Sequence, residues 1–174
     1  MYWKRFRSWP GFPTLVRILA FFALLVCART AAGSISNAQR LARDERRLAD
    51  VEHLQEALES YRREHGRYPE PVTTAGLSGW EASLNERFLF ALVEAGLLEA
   101  SPTDPVNDDR FHYRYYVYEP GAFGCDTTEP YFVLGIRAFE TPDFARSHVG
   151  RMRCSARNWN EEFAFALGGG PDLH

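Results

Sequence analysis

The chain lacks the features that mark enzymes and nucleic-acid-binding proteins. Its formal net charge is −3 over 174 residues, so it has no excess of positive charge to attract a phosphate backbone. It contains no Gly-x-Ser-x-Gly, no His-Glu-x-x-His and no phosphate-binding glycine loop, and its five histidines are scattered. We therefore expect no enzyme activity, no nucleic-acid partner and no small-molecule substrate.

The chain also lacks a long apolar run. Residues 18–28 are apolar throughout, but as a helix they would span only about 16 Å, against about 30 Å of membrane hydrocarbon. Lys4, Arg5 and Arg7 precede the run without an acid, which predicts a cytoplasmic N-terminus and export of the C-terminal remainder of the chain. Two interpretations stay open: a helix over residues 15–35 that anchors the chain, or a signal peptide cleaved after Ala28 or Ala32.

Cysteine is scarce. Of the three cysteines, Cys27 lies in the apolar run, whereas Cys125 and Cys154 form an even pair in the exported part. Disulfides persist outside the cytoplasm, so we predict a Cys125–Cys154 bond that stabilises the fold by roughly 3 to 4 kcal/mol. The alternative is two free, buried thiols.

Proline is absent from residues 14–65, and Gly33 is the one glycine there. This favours a single helix that continues from the apolar run into a charged, amphipathic segment. Its apolar stripe recurs at helical spacing and comprises Leu41, Leu48, Val51, Leu54, Leu58 and Tyr61. The charged residues on its other faces, Asp44 and Arg47 among them, are expected to be solvated. Gly66 and Pro69 should end the helix.

The rest of the chain predicts an α+β fold. Ser83 and Glu86 match a capping box that would open a second helix, with Gly96 as its stop. Residues 111–118, 131–139 and 162–167 read as strands, and without helix-length crossovers they should pair antiparallel. We expect the long helix to pack on the second helix and on this small sheet, and residues 168–174 to be disordered.

Two clusters have alternative interpretations. Asp104, Asn107, Asp108 and Asp109 could offer oxygens to calcium, but the same residues suit turns in which Asx side chains bind local backbone, and we favour turns. Glu140 and Asp143 are a weaker carboxylate pair. Five tyrosines could form a ligand platform, although cross-strand packing is the commoner use: Tyr113, Tyr115, Tyr116, Tyr118 and Tyr131. We predict no metal and no cofactor, with calcium as the alternative.

Several motifs together resemble type IV pilin-like proteins, and the major pseudopilin of type II secretion systems most of all. They are Gly11-Phe12 after a basic leader, a helix that runs into Gly66-Arg67-Tyr68-Pro69, then Pro102-Thr103-Asp104-Pro105, and a tyrosine-rich strand. Together with the sequence pattern, the resemblance divides the chain into a basic leader over residues 1–11, an apolar membrane segment or signal-peptide core over 12–36, and a pilin-like domain with its stalk helix over 37–167. It also implies processing between Gly11 and Phe12, and a filament or membrane helix that includes Leu15, Arg17, Leu19, Phe22 and Leu25.

The resulting hypothesis is a non-enzymatic structural subunit of a type II secretion or type IV pilus-like filament. Its expected partners are other pilin-like subunits and the inner membrane, which it would cross once, with the C-terminal domain periplasmic or extracellular. The alternative is a soluble binding domain that signal peptidase releases into the periplasm or medium.

Overall fold

A computed structural model describes the backbone of residues 12–72 and 74–173, and the side chains from residue 36 onward. Helix α1 spans Phe12–His65, and Arg40–His174 is a compact unit of its own. The predicted processing site at Gly11 lies outside the described residues, as do the side chains of Phe12, Leu15, Arg17, Leu19, Phe22 and Leu25. Within the described part, no helix has the length and apolar character required to cross a bilayer.

After α1 the elements are mostly short. They are β1 (Glu81–Ala82), α2 (Phe90–Glu94), β2 (Tyr113–Tyr118), β3 (Tyr131–Ile136), α3 (Pro142–Ser147), β4 (Arg153–Cys154), β5 (Arg157–Asn158) and β6 (Phe165–Gly169), with 3₁₀ turns at Ala122–Gly124 and Trp159–Glu161. One sheet has the order β1-β2-β3-β6, and β4 pairs with β5 in a second, two-stranded sheet. All neighbouring strands are antiparallel, so the predicted α+β class and strand direction are confirmed.

The sheet has a core on each face. On one face, Val51, Leu54 and Leu58 of α1 are fully buried and pack in one cluster with Tyr113, Tyr115, Phe132, Leu134 and Ile136. Burying each such aliphatic side chain contributes roughly 1.5 to 3 kcal/mol, which is why the apolar stripe fixes the helix to the sheet. Leu41 is an exception to the predicted stripe, since 41% of it is exposed.

The end of α1 has a structural explanation. Gly66 takes a left-handed conformation with φ of 73°, which glycine adopts without a steric penalty. Tyr68 is buried and donates a 2.9 Å hydrogen bond back to Glu59 of α1. The carbonyl of Pro69 accepts a 2.8 Å hydrogen bond from the Tyr115 hydroxyl. This segment therefore stops the helix and ties its end to strand β2.

The second helix begins later than predicted. Ser83 does not cap it: its hydroxyl donates to Asn107 at 2.9 Å and accepts from the backbone N–H of Tyr113. Leu89 has a φ of 50°, and α2 starts only at Phe90. Tertiary partners for the serine outcompete the local capping pattern.

The prediction that disorder begins at residue 168 was wrong for the first two residues of that segment. Gly168 and Gly169 belong to β6 and pair with Val133 and Phe132 of β3. A side chain at Gly169 would collide with the Phe132 ring and with Glu59. Glycine is needed at these two positions because the strand approaches its neighbours too closely for a Cβ atom.

Candidate functional site

The most unusual feature of the described residues is a cluster of five charged side chains, three of which, Asp44, Arg47 and Asp104, are buried. We call it the Arg47 cluster: Arg43, Asp44, Arg47, Asp104 and Glu140. It joins α1 to the loop that holds Asp104 and to the segment between β3 and α3. Asp44 and Arg47 are 0% exposed, so the prediction that they are solvated was wrong.

Arg47 makes four hydrogen bonds to three carboxylates. Its Nε and Nη2 bind the two oxygens of Asp104 at 2.7 and 3.0 Å, and its Nη1 binds Asp44 at 2.7 Å and Glu140 at 3.0 Å. The guanidinium also lies over the ring of Phe111, 4.8 Å from the centroid. A planar, five-donor group is suited to this pairing in a way that lysine is not.

Asp44 connects the cluster to the backbone before α3. Its carboxylate accepts from the backbone N–H groups of Glu140 and Thr141 at 2.8 to 3.1 Å, and from the Thr141 hydroxyl at 2.5 Å. Thr141 directly precedes α3. One buried carboxylate thus fixes both a guanidinium of α1 and the start of another helix.

Glu140 completes the cluster from its edge, with 10% of its side chain exposed. Both of its oxygens accept from Arg43, at 2.7 and 2.6 Å. Hydrogen bonds from Arg43 outweigh burial and, with those from Arg47, lower the pKa of Glu140 to about 2. Burial opposes the charge on Arg47, but the hydrogen bonds and charges of its carboxylate partners raise the pKa of that guanidinium further above its ordinary value.

The aspartates considered for calcium have other partners here. Besides its ion pair with Arg47, Asp104 accepts from the backbone N–H groups of Val106 and Asn107 at 2.8 and 3.2 Å. Asp108 accepts from those of Arg110 and Phe111 at 2.9 and 2.8 Å. This is the predicted turn chemistry. Among the residues that the structure describes, no group of three or more His, Cys, Asp or Glu side chains is arranged to hold a metal ion.

The five tyrosines divide between the two faces of the sheet. Tyr113 and Tyr115 lie in the core against α1, where the Tyr113 hydroxyl donates to Asp50 at 2.8 Å. Tyr116, Tyr118 and Tyr131 lie on the opposite face, in a second cluster with Trp80 and Trp159. Because side chains alternate along β2, Tyr113 and Tyr115 pack in the core, whereas Tyr116 and Tyr118 contribute to a partly exposed aromatic surface on the other face.

The cysteine pair lies beside that aromatic surface. Cys125 and Cys154 are joined in the structure, with their Cα atoms 4.8 Å apart, within the range of disulfides. Around the pair, the backbone N–H of Ala156 donates to Phe123 at 3.0 Å, and the Ser155 hydroxyl donates to Gly124 at 3.1 Å. The bond therefore holds the turn after β2 against the β4–β5 hairpin.

Sequence reasoning missed the Arg47 cluster, although one signal for it was present. Asp44 and Arg47 are three residues apart on α1, but this spacing is common on exposed helices. Their burial depends on Asp104 and Glu140, which are 57 and 93 residues from Arg47 in sequence.

Comparison with protein-family profiles, with curated proteins and with solved structures found no match for this chain.

Proposed function

We propose that this protein is a pilin-like, non-enzymatic structural subunit of a type II secretion or type IV pilus-like filament. Its N-terminus would be cytoplasmic, its apolar segment would cross the inner membrane once, and its α+β domain would be periplasmic or extracellular. The observation that carries the proposal is α1 itself. It is assigned as one helix from Phe12 to His65, and its C-terminal part is built into the core of an antiparallel α+β domain.

Such a subunit needs a helix that is fixed firmly to its domain, so that force on the helix is transmitted to the domain. Two sets of contacts fix α1 in this way. The stripe of Val51, Leu54 and Leu58 is buried against the sheet, and the Arg47 cluster connects the helix to two loops by hydrogen bonds of 2.6 to 3.0 Å. Apolar contacts give affinity, whereas directional ion pairs fix the register of the helix.

The alternative is a soluble binding domain released by signal peptidase. It is favoured by the observation that Arg40–His174 is compact by itself and contains both apolar clusters. Such a domain would retain its core after cleavage upstream of residue 40.

The mature N-terminus distinguishes the two functions. Mass spectrometry of the protein isolated from its own cells should find a chain that begins at Phe12, retained in the membrane fraction. An N-terminus at Arg29 or Gly33, with the protein recovered in the soluble fraction, would reject the filament proposal in favour of the released domain.

Cross-linking tests assembly directly. A photoreactive amino acid in place of Phe22 should give a ladder of cross-linked pilin-like subunits in membranes, because that position would lie in the helix bundle of a filament. The matched control is the same amino acid at Val72, which is 56% exposed in the described domain and should give fewer such products. Monomer alone at both positions would contradict assembly through α1.

A further inference from the structure

A cleft lies on the face of the sheet that points away from α1. We call it the aromatic cleft. It has a volume of about 430 Å³ and is lined by Gly76, Leu77, Ser78, Trp80, Arg114, Tyr116, Tyr118, Phe123, Arg157 and Glu162. Its aromatic rings form a continuous series. The ring centroids of Trp80 and Tyr116 are 5.6 Å apart, those of Tyr116 and Tyr118 are 4.6 Å apart, and those of Tyr118 and Phe123 are 5.3 Å apart.

Positive charge exceeds negative charge in this cleft. Glu162 is the one carboxylate among the described residues that line it, and its two oxygens accept from Arg114 at 2.9 Å and from Arg157 at 3.0 Å. Arg137 adds a third guanidinium, which donates to the backbone carbonyl of Glu162. Two guanidinium groups therefore share one carboxylate, and a third lies at the backbone of the same residue, outside the lining of the cleft.

The arginines are held in place despite this repulsion. The side chain of Arg114 is 12% exposed, and burial together with the charge of Arg137 lowers its pKa. Its Nε donates to His112 Nε2 at 3.0 Å. Burial lowers the pKa of His112, which favours the neutral ring that can accept this bond. An anion bound in the cleft would relieve the repulsion.

The walls of the cleft include two strained residues. Ser78 and Phe123 have φ values of 52° and 55°, and a left-handed conformation costs a non-glycine residue about 1 to 3 kcal/mol. The conformation of Phe123 brings its ring to 4.8 Å from the guanidinium of Arg157 and 5.7 Å from Trp159. The Cys125–Cys154 disulfide and the nearby hydrogen bond from the Ala156 N–H to the Phe123 carbonyl hold this arrangement.

We propose that the aromatic cleft binds an acidic sugar, a uronic acid unit of a polysaccharide. Aromatic rings pack against the apolar faces of a pyranose, and arginine binds a carboxylate through two parallel hydrogen bonds. The volume lies within the range of small-ligand sites and fits one or two sugar rings. The cleft has no extended basic track for a nucleic-acid backbone. This proposal does not depend on the filament function.

Calorimetric titration of the full chain, in mild detergent, with a trimer of galacturonic acid tests the proposal. A neutral trimer of galactose is the matched ligand, and Arg157→Gln is the main variant. We expect saturable binding of the acidic trimer, at least about tenfold weaker binding of the neutral one, and a loss of about tenfold or more in Arg157→Gln. Arg157→Lys should be intermediate, because it retains the charge but not the paired hydrogen bonds.

The control is Arg63→Gln, which removes the same charge from the exposed surface of α1 and should change the affinity less than about twofold. Circular dichroism establishes that each variant is folded before titration. Three results would overturn the proposal: no binding of the acidic trimer at millimolar concentration, equal binding of the two trimers, or equal affinities in Arg157→Gln and the unmodified chain. Acetate binding as tightly as the acidic trimer would also overturn it, because the rings would then contribute nothing.

Discussion

Replacing Arg47 with methionine is the sharpest test of how α1 is fixed to its domain. Methionine has a similar length and no charge, so the change removes the guanidinium with little loss of apolar volume. It would leave Asp44 and Asp104, both with fully buried side chains, without their cationic partner. Glu140 would keep Arg43, so the unpaired charge falls on the two aspartates.

The expected loss is large. Removing one member of a buried ion pair costs roughly 3 to 5 kcal/mol, because the remaining charge stays buried and unpaired. Each kcal/mol corresponds to about 3 to 4 °C in melting temperature for a domain of this size, so we expect a decrease of roughly 10 to 20 °C. A midpoint decrease in urea unfolding, at unchanged slope, should give the same free energy.

Arg46→Met is the matched control, one residue away on the same helix. The side chain of Arg46 is 62% exposed and lies 3.5 Å from Asp50, and exposed ion pairs contribute between 0 and about 1 kcal/mol. If the two variants lost the same stability, the Arg47 cluster would not hold the helix as argued. Arg47→Lys should fall between the unmodified chain and Arg47→Met, because an ammonium cannot reproduce the paired hydrogen bonds to Asp104.

Other contacts lead to three further predictions. The pKa of Glu140 is lowered to about 2 from an ordinary value near 4.5, so its contribution, on the order of 2 kcal/mol, is present above about pH 5 and lost as the pH falls towards 2. Urea unfolding at pH 7 and at pH 3 should show this loss in the unmodified chain and a smaller one in Glu140→Gln; an equal loss would contradict the assignment. Replacing Cys125 and Cys154 with serine should lower the free energy of unfolding by about 3 to 4 kcal/mol, and a reducing agent should have little effect on that variant; equal stability of both proteins under oxidising conditions would argue against the bond. Gly135→Ala should cost about 1 to 3 kcal/mol, because its Cβ would collide with the Phe163 ring; a melting temperature unchanged within error would show that the ring can move aside.

Local patterns in the sequence predicted the long helix and the two central strands of the sheet. The periodicity of Leu48, Val51, Leu54 and Leu58 predicted which side of α1 packs on the domain, since an amphipathic helix buries the stripe its own spacing defines. Alternating aromatics predicted strand β2, because side chains of a strand alternate between faces, and a run of β-favouring residues predicted strand β3. The antiparallel pairing was predicted from the short connections.

Other predictions failed where distant residues compete with local signals. The capping pattern at Ser83 was misleading because Asn107 and Tyr113 bind the serine hydroxyl instead. The glycines at the end of the chain suggested flexibility, but Gly168 and Gly169 are strand residues in close contact with β3. Neither competing partner is near in sequence, so no window of local pattern contains it.

The fold class, the stripe of α1 that packs and the pairing of Cys125 with Cys154 could all be predicted from the linear chain. Each depends on periodicity, chain length or residue count, which a sequence displays directly. The burial of Arg47 and the assembly of the aromatic cleft emerge only in three dimensions. Both gather residues from loops and strands far apart in the chain. A charged or aromatic side chain acquires its role only when folding sets its neighbours and removes the water around it.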